Sequence, residues 1–364
     1  MRSLYLVTTV ILVMLSGCTK PPDLIGVDSL ATPAESVANV SRHTIFISTT
    51  RQASEAVGAL FSGERAPELG FASVVVTVPP THEVGKLERP KRLPPHPGTE
   101  FAVVDPVIYR TDASFVADIN RELAKRPRND RRLLFFVHGY NSTTSDAILR
   151  LAQFVEDTGY TGVPVLFTWA SAAKLPRYVY DLNSALVARG KIQEIAGVLS
   201  KTNATSVDVF AHSMGAFLTM EGLVEAEQEG RLGKVNVIDH IILASPDIDQ
   251  DLFKTQLAQL PDWLVKKIYV LISKDDAALS FSRRIAGGVP RVGAANAADL
   301  DALGVTVIDL SQIEDSGAGS HTKFAGSPEV VQLIGAGLRS GARLSTSPSL
   351  GEFLGQVPIT ILGN

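Results

Sequence analysis

Ser213 lies in Ala211-His212-Ser213-Met214-Gly215, behind the run Val207-Asp208-Val209-Phe210 and ahead of a helical pattern. A serine between a strand and a helix, with small residues two places to either side, has the spacing of a nucleophile elbow. The sharp turn exposes the hydroxyl, and the N-terminus of the following helix favours negative charge developing on an attacked carbonyl. The chemistry would be acyl transfer through a serine ester. Ala211 stands where the pattern usually has glycine, while Gly215 is kept. A pattern allowing either residue arises by chance in roughly one chain of this length in four, so its placement between strand and helix is what makes it informative. Other chemistries lack their residues. The chain has 1 Cys, and it shows no HExxH, Walker loop, GxGxxG or cluster of metal ligands, so neither a metal nor a cofactor is expected.

The elements around Ser213 alternate. Leu133-Leu134-Phe135-Phe136-Val137 is a continuous apolar run, as a central parallel strand should be. Helical spacing follows from Ser145 to Thr158, with Ile148, Leu151, Ala152 and Val155 on one face. Pro164 to Trp169 reads as a strand, Leu186 to Leu199 as a helix, and Met214 to Glu229 as the helix after the elbow. Strands recur at Ile238–Leu243, Lys267–Ile272 and Val305–Leu310, and a last helix opens at Ser327-Pro328. Earlier strands are expected at His43–Ser48 and Ala72–Val78. A Pro-rich loop then runs from Pro79 to Gly98, and a weak amphipathic helix from Ser114 to Lys125. This order predicts an α/β fold with a mostly parallel sheet, helices on both faces, and a site beyond the carboxyl ends of the strands.

That geometry assigns the remaining chemistry. His138-Gly139-Tyr140-Asn141 ends the first buried strand of the regular alternation, where a His-Gly pair positions an oxyanion-hole amide. The expected donors are the backbone N–H groups of Tyr140 and Met214, worth about 3–4 kcal/mol each to an acyl-transfer transition state. His138 itself is expected to fix the loop. Elbow enzymes of this kind carry serine, then acid, then histidine. Only His240 and His321 follow Ser213, and His240 falls at the start of its strand, on the wrong end of the sheet. His321, in a Gly/Ser-rich loop after the last strand, is left as general base. The acid should follow Lys267–Ile272, where Asp275 and Asp276 both qualify; Asp247 is a lesser candidate, and the bland reading of Asp247 and Asp249 is loop geometry and helix capping. Asn141, Trp169 and Tyr178 are candidate pocket residues, with ordinary packing an equal alternative for the aromatics.

The stretch from Thr44 to about Leu338 resembles a bacterial α/β-hydrolase family of unknown function, distantly related to lipases and esterases. Phe61-Ser62-Gly63-Glu64-Arg65, Phe136 to Asn141, Phe167-Thr168-Trp169, Ala211 to Gly215, Ala244 to Asp249 and Ser320-His321 carry the likeness. The resemblance implies the α/β-hydrolase fold and favours Asp276 over Asp275 as the acid, from Ser273-Lys274-Asp275-Asp276-Ala277-Ala278-Leu279. It leaves Asp275 as a solvated residue or a cap of the following turn. It leaves the substrate open, because one fold hosts many chemistries.

The N-terminus carries a different signal. Arg2, the apolar run Leu4 to Leu15, and Leu15-Ser16-Gly17-Cys18 have the order of a lipoprotein signal peptide, with Cys18 as the lipidated residue. The expected organisation is a signal peptide over 1–18, a tether over 19–42, a hydrolase domain over 43–340 and a Gly/Ser-rich tail over 341–364 without an assigned role. Fully extended, the tether would reach at most ~80 Å. The expected setting is a lipid anchor on the periplasmic side of the bacterial cell envelope. With a net charge of -4 and no basic stripe, nucleic acid is not an expected partner. The expected substrate is a small-molecule or lipid ester, or a thioester. An amidase or peptidase would use the same triad. A non-catalytic binding module is the rival of another class, and the intact Ser/Asp/His order argues against it.

Overall fold

The computed structural model describes residues 21–232, 237–313, 321–340 and 359–363. In chain order the elements are β1 (Ser41–Ala53), β2 (Phe61–Val78), β3 (Ala102–Tyr109), α1 (Asp112–Ala124), β4 (Arg132–Val137), α2 (Thr144–Thr158), β5 (Val163–Thr168), α3 (Tyr178–Leu199), β6 (Ser206–His212) and α4 (Met214–Gln228). Then come β7 (Ile238–Ala244), α5 (Gln250–Leu257), α6 (Asp262–Val265), β8 (Ile268–Ile272), α7 (Ala277–Ile285), α8 (Ala297–Asp301), β9 (Thr306–Asp309), α9 (Lys323–Gly326), α10 (Pro328–Ser340) and β10 (Thr360–Leu362).

All ten strands form one sheet in the order β10-β9-β8-β7-β6-β4-β5-β1-β2-β3. From β9 to β1 every neighbouring pair is parallel; β10 at one edge, and β2 with β3 at the other, pair antiparallel. Parallel strands need crossovers, and their helices cover both faces. Alternate residues of β4 serve the two layers. Leu133, Phe135 and Val137 pack with α1, α3 and α4; Leu134 and Phe136 pack with α2 and α10. The period-2 geometry of a strand requires this split. Because both layers are apolar, the run had to be continuous.

The structure departs from the sequence expectations in five places. β3 was not anticipated, since Asp105 and Pro106 interrupt it; it is an edge strand, where proline costs no central ladder bond. β2 starts at Phe61 and α3 at Tyr178, both earlier than expected. The expected tether is in part packed: Leu24 and Ile25 are buried, and the Ile25 N–H donates to the Gly58 carbonyl at 2.8 Å. This apolar pair has surface to bury, so it packs against the domain. The expected tail contributes β10, whose residues 360–362 pair with β9 and close that edge.

The loop after β2 is tied down by His82. Its Nδ1 lies 2.7 Å from Glu88 Oε2 and its Nε2 2.7 Å from Asp157 Oδ1 at the end of α2. Burial alone would lower the imidazole pKa, but hydrogen bonds to Asp157 and then Glu88 outweigh it and raise it to about 9. A folded pKa above the unfolded value near 6.5 adds stability that is full below pH 6.5 and lost as pH rises through about 9. Urea unfolding should therefore show a fall in stability between about pH 7 and 10 in the wild type that His82→Gln removes. Parallel pH profiles for the two proteins would refute this.

Candidate active site

β6 ends at His212 and α4 begins at Met214, so Ser213 alone makes the turn. Its backbone sits at φ 55 and ψ -122, a conformation that a residue bearing a side chain adopts only under constraint. Two glycines supply the constraint. A Cβ on Gly215 would lie 2.4 Å from the His138 carbonyl oxygen, and one on Gly139 would lie 2.8 Å from Ser213 Cβ. Only bare backbone fits at either place, and the loop after β4 therefore rests directly on the elbow. The Ser213 N–H donates to the Ala244 carbonyl at 2.9 Å, and the Asp247 N–H donates to the Ser213 carbonyl at 3.2 Å. The strained residue is held from both sides.

The segment after β9 brings His321 to the same place. Its ring centroid is 4.7 Å from that of His212, the residue before Ser213. His212 Nε2 lies 3.1 Å from the His321 carbonyl. A carbonyl only accepts, so His212 carries its proton on Nε2 and holds the segment that carries His321. Burial, followed by the nearby His321, holds the His212 pKa well below its ordinary value, so this ring is neutral. On its other side His321 Nδ1 is 2.7 Å from Asp276 Oδ2. Asp276 is 0% exposed, and its other oxygen accepts the Leu279 N–H at 3.0 Å, capping α7. With Nδ1 committed to the carboxylate, Nε2 is the nitrogen left to take a proton.

The structure separates the three candidate aspartates. Asp275, expected to be solvated or a turn cap, instead pairs with Lys323 Nζ at 2.9 and 3.0 Å. Lys323 is 1% exposed and also reaches Ser273 Oγ at 3.0 Å and the Leu310 carbonyl at 3.1 Å. It stands two residues after His321, and so ties the Asp275–Asp276 loop to the His321 segment. Asp247 faces away from His321, in a buried network. Tyr178 Oη donates to it at 2.9 Å, Ser282 Oγ donates at 2.7 Å, and Arg291 Nε stands 3.3 Å away. Asp249 caps α5 through the N–H groups of Asp251 and Leu252. His240 lies at the opposite end of the sheet, bound to Asp208 at 2.7 Å.

The loop that carries Tyr140 is built on a buried cation that sequence reasoning missed. Arg51, at 3% exposure, donates to Thr168 Oγ1 at 2.8 Å and to the carbonyls of Ser142, Ser171 and Ser62 at 2.7, 3.0 and 3.1 Å. Burial lowers its pKa to about 10, against the pull of Asp181. His138 Nδ1 meets the Gly139 carbonyl at 2.8 Å and Nε2 meets Thr168 Oγ1 at 3.0 Å, so the proton is on Nδ1. Burial and then Arg51 lower the His138 pKa to about 3, so it is a neutral brace and not a base. Trp169 is 0% exposed; it stacks on His138 and donates to its carbonyl at 2.8 Å, so it supports the loop from beneath. Tyr178 packs edge-on against Tyr140, with ring centroids 5.3 Å apart. Asn141 has φ 57; its N–H donates to Asp181 at 3.2 Å, and its side-chain oxygen is buried with no partner among the described residues. No hydrogen-bond acceptor is found for the N–H of Tyr140 or Met214 among the described residues. An open groove of about 530 Å³ between β1, β2 and β3 includes none of Ser213, Asp276 and His321.

A family model described as "Alpha/beta hydrolase of unknown function (DUF900)" matches residues 111–337. No curated protein matches the chain. Among solved structures, one of fungal esterases from Rhizomucor miehei is 13% identical, with 83% of this chain and 86% of that one covered and a TM-score of 0.36. An esterase of Pyrobaculum calidifontis is 14% identical, with 57% and 76% covered and a TM-score of 0.31. Both are remote.

The Lys323 pair has a measurable consequence. Asp275→Asn leaves a buried ammonium without its countercharge and should lower unfolding free energy by about 1–2 kcal/mol, moderated because Asp275 is half exposed. Adding Lys323→Met removes the charge and should recover part of that loss. A double variant less stable than the single one would contradict the account.

Proposed function

For a chain that belongs to the alpha/beta hydrolases of unknown function (DUF900), we propose a serine hydrolase acting on carboxylic esters or thioesters. The Asp276–His321 pair, seated against the strained turn at Ser213, is the observation that carries the reading. Ser213 Oγ attacks the carbonyl while His321 Nε2 accepts its proton. Asp276 holds the other ring nitrogen protonated and stabilises the imidazolium as it forms. The negative oxygen of the tetrahedral intermediate is received by the N–H groups of Tyr140 and Met214, which have no other acceptor among the described residues. His321 then returns its proton to the leaving alcohol or thiol. Water, deprotonated by the same imidazole, releases the acyl group and restores Ser213.

A fluorophosphonate probe should label the wild type at Ser213 and leave Ser213→Ala unlabelled. Asp276→Asn should lower turnover of short p-nitrophenyl esters by roughly 10²–10⁴. A folded wild type inert to both probe and esters would overturn the enzyme reading in favour of a binding module.

Cys18 lies outside the described residues. Its lipidation, and a place on the periplasmic side of the envelope, are part of the same proposal and rest on Leu15-Ser16-Gly17-Cys18 behind an apolar run. In a bacterial host fed a labelled fatty acid, the wild type should take up label and Cys18→Ala should not. Equal incorporation into both would remove the anchor.

A further inference from the structure

Two segments that build the site also carry exposed apolar side chains. One is the turn leading into α3, where Leu175 is 63% and Val179 66% exposed. The other is α7, where Phe281 is 49% and Ile285 47% exposed. Both are joined to the site by hydrogen bonds. Tyr178 and Ser282 donate to the two oxygens of Asp247, whose N–H holds the Ser213 carbonyl. Tyr140 Oη donates to the Leu175 carbonyl, and α7 is capped by Asp276. The four apolar side chains therefore flank the elbow.

Their neighbours are cations. Lys174, Arg177, Arg283 and Arg284 are all exposed. None has a carboxylate partner among the described residues. Arg283 Nε donates to the Gly288 carbonyl, and the Arg177 guanidinium lies 5.5 Å from the Tyr180 ring centroid. The nearby carboxylates are engaged elsewhere: Asp275 with Lys323, Asp249 on the α5 N-terminus, and Asp251 with Lys254. Four unmatched cations beside four exposed apolar side chains stand out on a chain of net charge -4. Basic residues interleaved with exposed aromatic and aliphatic ones are the composition of a surface that lies in a membrane interface. No helix among the described residues is long and apolar enough to cross a membrane, so contact by this part of the chain would be interfacial.

We propose that the rim formed by Leu175, Val179, Phe281 and Ile285, with its four cations, docks on an anionic phospholipid surface and turns the Ser213 site toward esters held in that surface. The docking is independent of the lipid anchor; its catalytic consequence rests on the serine-hydrolase reading. Apolar side chains enter the headgroup boundary while the cations meet lipid phosphates, each worth about fivefold in partition. Salt weakens the second contribution and leaves the first.

The test uses the full chain in vesicles whose acyl chains carry bromine, a short-range quencher of indole fluorescence. Phe281→Trp is made in a Trp263→Phe background, with Val237→Trp as a control just before β7, at the end of the sheet opposite the site and 38% exposed. The indole at position 281 should be quenched in vesicles containing phosphatidylglycerol, less so in phosphatidylcholine alone, and less again after Arg283→Gln and Arg284→Gln. The control should stay unquenched. With Phe281 in place, the same two arginine changes should lower turnover of a long-chain ester embedded in the vesicle on the order of tenfold, and leave a short water-soluble ester within about twofold. No quenching at 281, equal quenching at 237, or insensitivity to lipid charge overturns the proposal. A wild type inert toward both esters that is still quenched at 281 would sink the hydrolase reading and leave the docking surface standing.

Discussion

A carboxylate taken wholly out of water must find donors in the protein, and at Asp276 there are two among the described residues. Its oxygens accept the Leu279 N–H and the His321 Nδ1–H, and it has no exposed surface. Losing either donor would leave a buried charge short of a partner, which costs several kcal/mol. One contact thus serves two ends. It starts α7 and fixes the tautomer of the imidazole. The α7 N-terminus adds its own positive end to the same carboxylate. Lys323 works alongside it by drawing Ser273, Asp275 and Leu310 together, so that the Asp276 loop and the His321 segment cannot drift apart independently.

The other half of the site obeys the same rule with opposite charge. Arg51 is buried with no carboxylate in direct contact among the described residues, and its donors are spent on three backbone carbonyls and a hydroxyl. Those carbonyls belong to loops that would otherwise have unpaired groups at the ends of β2, β4 and β5. His138 can sit beside this cation because it is neutral, and Thr168 mediates by accepting from Arg51 and donating to the imidazole. The Tyr140 amide is therefore positioned by a network that has no chemical role of its own.

The sequence was most legible where one residue type has one physical use. The run Leu133–Val137 declared a strand buried on both faces, and Ala211–Gly215 declared a turn too tight for side chains. The elimination that left His321 used the serine–acid–histidine order and the sheet's polarity, and the structure sets that ring against Asp276 and His212. Adjacent aspartates defeated this kind of reading. Asp275 and Asp276 share a loop, and spacing cannot say which faces His321 and which faces Lys323; the family likeness favoured Asp276. Arg51 was invisible because its partners are carbonyls, which leave no mark in sequence. Trp169 read as a pocket wall or packing with equal weight, and its indole hydrogen bond to a backbone oxygen belongs to neither pattern. Proline hid β3, and a short apolar pair, Leu24 and Ile25, was too small a signal against a Pro- and Ser-rich background.

Asp247 ties the interior to the surface. Its backbone N–H holds Ser213, and its carboxylate collects Tyr178 from α3, Ser282 from α7 and Arg291 from the strap between α7 and α8. Like Asp276, it is buried and must keep its donors. A rotation of α3 or α7 large enough to matter to the outer surface would break one of these bonds and expose the carboxylate to an unpaired state. The two helices are thus restrained relative to the elbow by the same desolvation cost that orders the acid and base. Whatever meets Leu175, Val179, Phe281 and Ile285 from outside meets a surface fixed in register with Ser213.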